Sequence, residues 1–560
     1  MKLNPLTQID FYKTGHVFQY PSGTEAVYSN FTARSARLAP VLREGPAAFD
    51  NKVVFTGLQG FVKDFLMDAF NEGFFALPKQ KAVAQYKRRM DTSLGPGVVP
   101  VGHIADLHDL GYLPIRIKAL PEGSRVNMKV PLFTVRSTRP GFAWLVNYLE
   151  DVLSNSIWKP TTVATIAFQY RRLLTAYAEL TGADKTFIDW QAHDFSCRGM
   201  SGPEDSARSS FGHLLSFFGT DAVASLDYAE TYYGADADQE LLGGGVPATE
   251  HSVMSMGGAV EPEIETFRRL IQDIYPTGIV SIVSDTWDYW RVLTEYAVEL
   301  KPVILARQPD ALGSAKVVFR PDSGDPVKIL TGYLCREVEQ ASVDACQEAA
   351  EQGFEAVRSL ATGQCYTLVD GKLRELRECE VKGSVQVLWD NFGGNVTDKG
   401  YKVLNPRVGL IYGDSITLDR CWRILQRLKD KGFASSNVVF GVGSFSYQFL
   451  SRDSFGFAMK ATWGQVKGVA RELFKDPVTD AGTKKSARGL LRVEKVGQDF
   501  VLHQQQTPEQ EAQGALELVF EDGHLVREET LAQLRARLRQ VDAATSTQPQ
   551  ERGVAELVGA

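Results

Sequence analysis

The sequence predicts an α/β protein whose central part is an irregular, barrel-like (β/α) domain, with a second mixed α/β domain beside it. Short apolar runs end abruptly in polar or glycine residues, and a helical pattern often follows. These runs are continuously apolar rather than alternating, which is typical of parallel strands buried on both faces. The clearest are GIVSIVSD, AKVVFRPDSG, VGLIYGDS and NVVFGVGS, at 278–285, 315–324, 408–415 and 437–444.

Composition narrows the class of protein. The chain has 560 residues and is 44% hydrophobic, so it can bury large cores and divide into two or more domains. It carries 68 acidic and 61 basic residues, and the net charge of -7 argues against nucleic acid as a partner. The six cysteines include no CxxC pair, and no apolar run approaches the roughly 20 residues that cross a bilayer. We therefore expect a cytoplasmic protein without a membrane partner.

The strand and helix rhythm sets the expected domain boundaries. The mixed domain is assigned to 1–185 and 453–527, and the barrel-like domain to 186–452. Within the barrel, 331–400 interrupts the rhythm with a Glu- and Ala-rich helix and an Asp-Gly hairpin, and is predicted to be a surface insertion. Residues 528–560 are predicted to form a short amphipathic helix followed by a disordered tail.

Closure of the strands into a barrel would gather the residues that follow them on one rim, where barrel enzymes place their chemistry. In RPDSG, Arg320 can grip a phosphate and Asp322 can reach ribose hydroxyls or a metal. In GDS, Gly413 permits close backbone approach and Asp414 can accept hydrogen bonds from a ribose diol. The glycines of FGVGS can expose N–H groups to a phosphate. Each motif is also compatible with a structural turn or helix cap.

A histidine lies between a carboxylate and a hydroxyl, in the order Glu250, His251, Ser252. It is either a hydrogen-bonded structural histidine or a reactive one. For the reactive case, we predict that Asp285 accepts the Nδ1 proton and leaves Nε2 as the nucleophile or base.

Taken in chain order, the motifs resemble the signatures of the nicotinamide phosphoribosyltransferases, of the type II phosphoribosyltransferase family. The resemblance runs from about residue 8 to about residue 525, and an ordered series is more specific than any single motif. The motifs are DFYKTGHVFQYP (10–21), HDFSCRG (193–199), FGTD (218–221), VPATEHS (246–252), SIVSD (281–285), RPDSG (320–324), GDS (413–415), FGVG (440–443) and LFKDPVTD (473–480).

The resemblance implies a homodimeric enzyme of NAD salvage that joins nicotinamide to phosphoribosyl pyrophosphate. Its products are nicotinamide mononucleotide and pyrophosphate, and its site lies at the dimer interface. By resemblance, Phe195 and Tyr12 of the partner subunit sandwich the pyridine ring. Asp221 accepts the carboxamide N–H, which disfavours nicotinate through like-charge repulsion. Arg198 and Arg320 are implied contacts to base and phosphate.

The same resemblance implies the remaining roles. ATP phosphorylates His251, which Asp285 orients and Glu250 assists. Magnesium, held mainly by pyrophosphate, stabilises the leaving group. Arg34 of the partner subunit and Lys475 of the partner subunit meet pyrophosphate. The other ribose and phosphate contacts are Asp322, Gly413, Asp414, Gly443, Ser444 and Arg452, with Lys460 a candidate for charge compensation.

Two other functions are compatible with the same residues. A nicotinate phosphoribosyltransferase shares the fold, the phosphoribosyl donor and the ATP-coupled histidine, and would prefer nicotinate. A non-catalytic nucleotide-binding scaffold would keep the fold and release no pyrophosphate.

Overall fold

The computed structural model describes residues 3–413, 415–475 and 486–546, with side chains up to residue 540. The α/β fold class is confirmed. Two sets of predictions, the ribose contact at Asp414 and the tail at 547–560, lie outside the described residues, as does the end of the LFKDPVTD motif.

A sheet of five parallel strands forms the centre of the described chain, and the four apolar runs quoted above supply four of the strands. The sheet order is β1-β5-β4-β3-β2, so the first of the five strands along the chain pairs with the last. Most side chains along these strands are buried, as continuous apolar runs predict. The strands are Ala192–Asp194 (β1), Gly278–Val283 (β2), Ala315–Arg320 (β3), Val408–Tyr412 (β4) and Val438–Val442 (β5).

Isolated parallel bridges continue this sheet from both of its edges. From β1 the bridges are Asp194–Thr220 and Gly219–Gly244, and from β2 the bridge is Ala248–Ser281. The Thr220 N–H donates to the Gly244 carbonyl at 3.0 Å. The segments 218–221 and 243–249 therefore span the gap between the two edge strands and curl the sheet towards a barrel.

Helices cover the outside of the sheet. Helix Leu418–Asp430 follows β4 and buries Ile424 and Leu425 while Arg423 points to solvent. Further α-helices are His16–Gln19, Leu58–Phe61, Lys79–Leu94, Gly102–Leu110, Trp144–Tyr148, Ile188–Gln191, Pro203–Leu214, Ala224–Tyr233, His251–Val260, Glu263–Arg269, Tyr289–Arg291, Ala297–Glu299, Lys301–Ala306, Pro326–Thr331, Ser444–Tyr447 and Pro508–Glu511. Wider π-helical turns occur at Val62–Ala69, Asn71–Phe75, Leu270–Ile274 and Val292–Tyr296, and 3-10 turns at Pro5–Thr7, Phe11–Gly15, Lys185–Phe187, Cys197–Gly199 and Ser435–Asn437.

A seven-stranded antiparallel sheet combines strands from both ends of the chain. Strand Thr24–Thr32 pairs with Ala458–Val466 on one side and Pro131–Ser137 on the other. The remaining strands of this sheet are Val469–Glu472, Ile115–Ala119, Glu517–Glu521 and His524–Leu525. Two-stranded ribbons pair Leu490–Val496 with Asp499–Gln506, Lys52–Val54 with Arg125–Asn127, and Gly394–Val396 with Lys402–Leu404.

A long, mostly buried helix, Glu150–Thr181, lies between the ribbon that contains Lys52–Val54 and the barrel. On one side, its Thr165 hydroxyl accepts a hydrogen bond from the Val54 N–H at 2.9 Å. On the other, its Tyr170 hydroxyl donates to the Ile416 carbonyl at 2.6 Å, just after β4. The helix therefore ties one strand end of the barrel to the N-terminal part of the chain.

The stretch 331–400 contains the predicted helix, Val343–Glu351, and the predicted Asp-Gly hairpin, Cys365–Val369 with Lys372–Leu376. With Cys335–Val338 and Ala356–Ser359 these strands form a four-stranded sheet, which helix Glu378–Lys382 follows. The prediction of a surface insertion is wrong for its last part. Helix Ser384–Phe392 packs Val385, Leu388 and Phe392 into the main core.

The predicted C-terminal helix is confirmed as Leu531–Ser546. It buries Leu531, Leu534 and Leu538 against the rest of the protein. Among the described residues, no helix combines the length and the apolar character needed to span a bilayer.

Candidate active site

The carboxyl ends of the parallel strands bring most of the predicted site residues together. Asp285 follows β2, Arg320 ends β3 and Asp322 lies just beyond it. Gly413 follows β4, and Gly443 follows β5. Because parallel strands end at the same edge, these five residues share one rim.

His251 is the first residue of helix His251–Val260, and its Nε2 lies 3.1 Å from Asp285 Oδ1. The predicted pairing of the two residues is therefore present, but the prediction that Nδ1 faces Asp285 is wrong. The helix starts at His251 itself, and its ring turns Nε2 towards the strand end. The His251 side chain is 50% exposed and that of Asp285 only 6%. Nδ1 is the nitrogen directed away from the carboxylate.

Asp285 connects three segments through its two carboxylate oxygens. Oδ2 accepts hydrogen bonds from the Asp322 N–H at 2.9 Å, the Ser323 N–H at 2.8 Å and the Ser323 hydroxyl at 2.5 Å. Burial alone would raise the pKa of Asp285, but the hydrogen bonds from Ser323, Asp322 and His251 outweigh it and lower the pKa below its ordinary value. The carboxylate therefore stays ionised and aligned at neutral pH.

Glu250 precedes the helix, and its backbone carbonyl accepts hydrogen bonds from the N–H groups of Val253 and Met254. Its carboxylate accepts a hydrogen bond from the Ser252 hydroxyl. Glu250 thus stabilises the first turn of the helix that carries His251, which is a positioning contribution.

Arg320, Asp322 and Gly413 form a tight group on the rim. The Arg320 guanidinium donates to the Thr249 carbonyl at 2.5 Å, and its Nε lies 3.5 Å from Asp322 Oδ1. A Cβ on Gly413 would lie 1.9 Å from Asp322 Oδ1 and 3.2 Å from Arg320 Cδ. The absence of a side chain at Gly413 is therefore what allows the β3 and β4 ends to approach each other.

The Phe195 ring, just beyond the end of β1, forms an aromatic platform. The Phe195 ring is half-buried, and its centroid lies 4.6 Å from that of His193 at an interplanar angle of 42°. A Cβ on Gly441 would lie 2.8 Å from Phe195 Cδ2, so the ring packs directly on the β5 backbone. His193 Nε2 lies 2.8 Å from Asp221 Oδ1. The predicted base contacts Phe195 and Asp221 are thus neighbours, whereas Arg198 lies exposed on the following turn.

Residues after β5 form the predicted phosphate turn. Ser444 begins the short helix Ser444–Tyr447, and a Cβ on Gly199 would lie 2.4 Å from its Oγ. A buried contact holds the end of this helix in place, because the Tyr447 hydroxyl lies 2.7 Å from His213 Nδ1. The turn therefore meets the segment after β1 at close range.

A second group of predicted phosphate contacts is strongly cationic. Arg34 and Lys460 line the same pocket of about 220 Å³, together with Lys129. Burial lowers the pKa of Lys460, and the positive charges of Arg34, Lys475 and Arg452 lower it further against the opposing effect of Glu150. These cations are within electrostatic reach of one another, as a polyanion site requires.

Tyr12 is 60% exposed, with Phe11 and Phe18 exposed nearby. Its ring contacts His16 edge-on at 5.0 Å and Lys13, rather than Phe195 of the same chain. Lys13 is buried, and its ammonium group contacts Glu150 at 2.8 Å, which fixes the segment. The stacking of Tyr12 on nicotinamide stays a prediction, and it requires a second subunit.

Sequence reasoning gave no role to His193, although the motif HDFSCRG contains it. Its position at a strand end, one residue before the buried Asp194, could have marked it as a candidate site residue. Among the described residues, no group of three or more His, Cys, Asp or Glu side chains is arranged to hold a metal ion.

Known proteins are similar in sequence to this chain over most of its length. The profile of the nicotinate phosphoribosyltransferase (NAPRTase) family matches residues 190–524. A protein of Acinetobacter baylyi named nicotinamide phosphoribosyltransferase is 58% identical, covering 96% of this chain and 98% of that protein. A protein of the same name from Mycoplasma pneumoniae is 32% identical over 87% of this chain and 95% of its own.

Solved structures match at lower sequence identity. Human nicotinic acid phosphoribosyltransferase is 17% identical, covers 96% of this chain and 93% of its own, and superposes with a TM-score of 0.48. Assignment to a family rests on the sequence relatives and the profile rather than on this likeness. The chain belongs to the nicotinate phosphoribosyltransferase (NAPRTase) family.

Proposed function

We propose that this protein is a nicotinamide phosphoribosyltransferase, which converts nicotinamide and phosphoribosyl pyrophosphate into nicotinamide mononucleotide and pyrophosphate. Family membership and the 58% identical relative of that name support the reaction. The observation that carries the choice of amide over acid is the Asp221 carboxylate beside the Phe195 platform. An ionised carboxylate accepts the carboxamide N–H of nicotinamide and repels the carboxylate of nicotinate.

The chemistry needs positioning more than proton transfer. The pyridine nitrogen is already a nucleophile and attacks ribose C1 as the bond to pyrophosphate breaks, so no general base is required. Negative charge grows on the departing pyrophosphate, and magnesium bound to that group of the substrate would stabilise the charge. On the rim, Asp322 and the backbone at Gly413 hold the ribose, and Arg320 contacts the base and phosphate. Gly443 and Ser444 bind the 5′-phosphate.

ATP acts as co-substrate through His251 in this proposal. With Nε2–H donated to Asp285, the Nδ1 lone pair attacks the γ-phosphorus of ATP, and ADP leaves. The half-exposed ring, the buried carboxylate behind it and the helix N-terminus support this role. The nitrogen that becomes phosphorylated is thus Nδ1, opposite to the sequence prediction.

A homodimer completes the site. Tyr12 of the partner subunit stacks on the base opposite Phe195, and Arg34 of the partner subunit and Lys475 of the partner subunit meet pyrophosphate. The exposed aromatic side chains Phe11, Tyr12 and Phe18 and the cationic pocket support this arrangement. The cytoplasm is the proposed location, because the six cysteines are free thiols.

The first prediction concerns the base. With magnesium and phosphoribosyl pyrophosphate, nicotinamide should give pyrophosphate release that ATP stimulates, measured by a coupled pyrophosphate assay. Release with nicotinate alone would reassign the protein to the acid-specific activity for which its family is named. No release with either base would leave a binding scaffold.

The second prediction concerns His251. His251→Ala should abolish the stimulation by ATP and leave slow, ATP-independent transfer, because attack by the ring nitrogen uses no imidazole. The measurement is the rate of nicotinamide mononucleotide formation with and without ATP. Stimulation of the variant to the wild-type level would disprove the role of this residue.

The third prediction concerns the contact between β3 and β4. Gly413→Ala should lower kcat/KM for phosphoribosyl pyrophosphate by about 10- to 100-fold, because the new methyl group must displace the Asp322 carboxylate. Gly102→Ala is the matched control, since a Cβ there meets no atom within 4 Å. Equal kcat/KM values for the two variants would contradict the role of this contact.

A further inference from the structure

Arg535, on the C-terminal helix, is buried although it carries a charge. Its guanidinium donates hydrogen bonds to three backbone carbonyls. Nε donates to that of Leu214 at 2.6 Å, Nη1 to that of Leu241 at 3.3 Å and Nη2 to that of Leu242. A guanidinium has five N–H donors in a planar fork and no acceptor, so it can hold several carbonyls at once. One side chain thus joins the end of a barrel helix to the segment that starts at Leu241.

The same guanidinium lies over the ring of Phe218, with its central carbon 4.5 Å from the ring centroid. A cation over an aromatic face is attracted by the ring quadrupole, and the attraction is stronger where water is excluded. Phe218 opens the FGTD motif, whose last residue is Asp221. Arg535 therefore contacts the segment of Asp221 as well as the segment 241–245.

The path from these contacts to Asp221 is short. The Gly244 N–H donates to the Phe218 carbonyl at 2.8 Å, and the Gly244 carbonyl accepts from the Thr220 N–H at 3.0 Å. A Cβ on Gly245 would lie 3.1 Å from Asp221 Oδ1, so the backbone there lies directly beside the carboxylate. Because the two segments are hydrogen-bonded to each other, a shift of either one at Arg535 changes the position of Asp221.

The C-terminal helix gives the guanidinium a fixed base. Its leucines Leu531, Leu534 and Leu538 are buried in a hydrophobic cluster, and Leu242 belongs to the same cluster. The apolar contacts of the helix and the hydrogen bonds of Arg535 therefore hold the same segment. Residues on packed regular elements position a site more precisely than residues on loops do.

We propose that Arg535 is a positioning residue for the base, and that it holds the segments 218–221 and 241–245 where Asp221 can accept the carboxamide N–H of nicotinamide. This inference rests on the proposed function. Arg535 acts through Asp221 and not by contact with the substrate. The last helix of the chain therefore contributes to recognition of the base.

The test replaces Arg535 by methionine, a long side chain without N–H donors. Arg535→Met should raise KM for nicotinamide by about tenfold and change KM for phosphoribosyl pyrophosphate by less than about twofold, because the base contact alone is displaced. The measurement is the initial rate of nicotinamide mononucleotide formation, with each substrate varied while the other is saturating. A purely structural role would lower the melting temperature and the folded fraction, and hence kcat, without changing either KM.

Arg537→Met is the matched control. Arg537 lies on the same helix, but it donates to the Glu122 carbonyl and the Glu529 carboxylate rather than to the segment 241–245. This variant should keep both KM values within about twofold of those of the wild type.

The outcomes separate the two proposals. If Arg535→Met leaves KM for nicotinamide unchanged, the inference is overturned and the proposed function stands. An equal rise of this KM in Arg537→Met also overturns it, because the effect then belongs to the helix as a whole. If Arg535→Met does not fold, Arg535→Gln, which keeps an N–H donor group, decides by the same two KM values. A wild-type protein that turns over nicotinate alone overturns the proposed function and the inference together.

Discussion

The parallel alignment of five buried strands is the constraint on which the whole site depends. Because the strands are parallel, their carboxyl ends lie on one edge of one sheet, and the segments that follow them begin there. Asp285 then locks that edge, because one oxygen holds His251 and the other holds the Asp322–Ser323 turn. A single buried carboxylate thus fixes His251 and the Asp322–Ser323 turn relative to each other. His251 opens a helix and the Asp322–Ser323 turn directly follows β3, so regular elements hold both in place, which suits chemistry that relies on positioning.

The sequence predicts this rim well because its signals are local. A continuous apolar run followed by a polar turn identifies a buried parallel strand, and all four quoted runs are strands in the structure. The order of motifs identifies the family. The sequence also predicts the pairing of His251 with Asp285, because a carboxylate just after a strand can accept a proton from an imidazole.

What the sequence could not give depends on contacts between distant segments. The imidazole nitrogen that faces Asp285 is set by how the helix at His251 meets β2, and no pattern encodes that angle. The His193–Asp221 pair arises because the bridge between Gly219 and Gly244 brings the FGTD segment beside β1. Helix Ser384–Phe392 looked like part of an insertion, yet its apolar face belongs to the main core.

Charge is divided between two regions of the molecule. The rim holds the carboxylates of Asp221, Asp285 and Asp322, and the antiparallel sheet carries Lys460, whose pocket also contains Arg34 and Lys129. A substrate that is neutral at one end and polyanionic at the other matches this division.

The most direct test is a crystal structure of the protein with nicotinamide mononucleotide bound. The account predicts the pyridine ring on Phe195, the carboxamide N–H donated to Asp221, the ribose beside Asp322 and the 5′-phosphate at Gly443 and Ser444. A nucleotide bound away from the strand ends would contradict the account. So would a nucleotide on the rim in the reverse orientation, with its phosphate at Asp221.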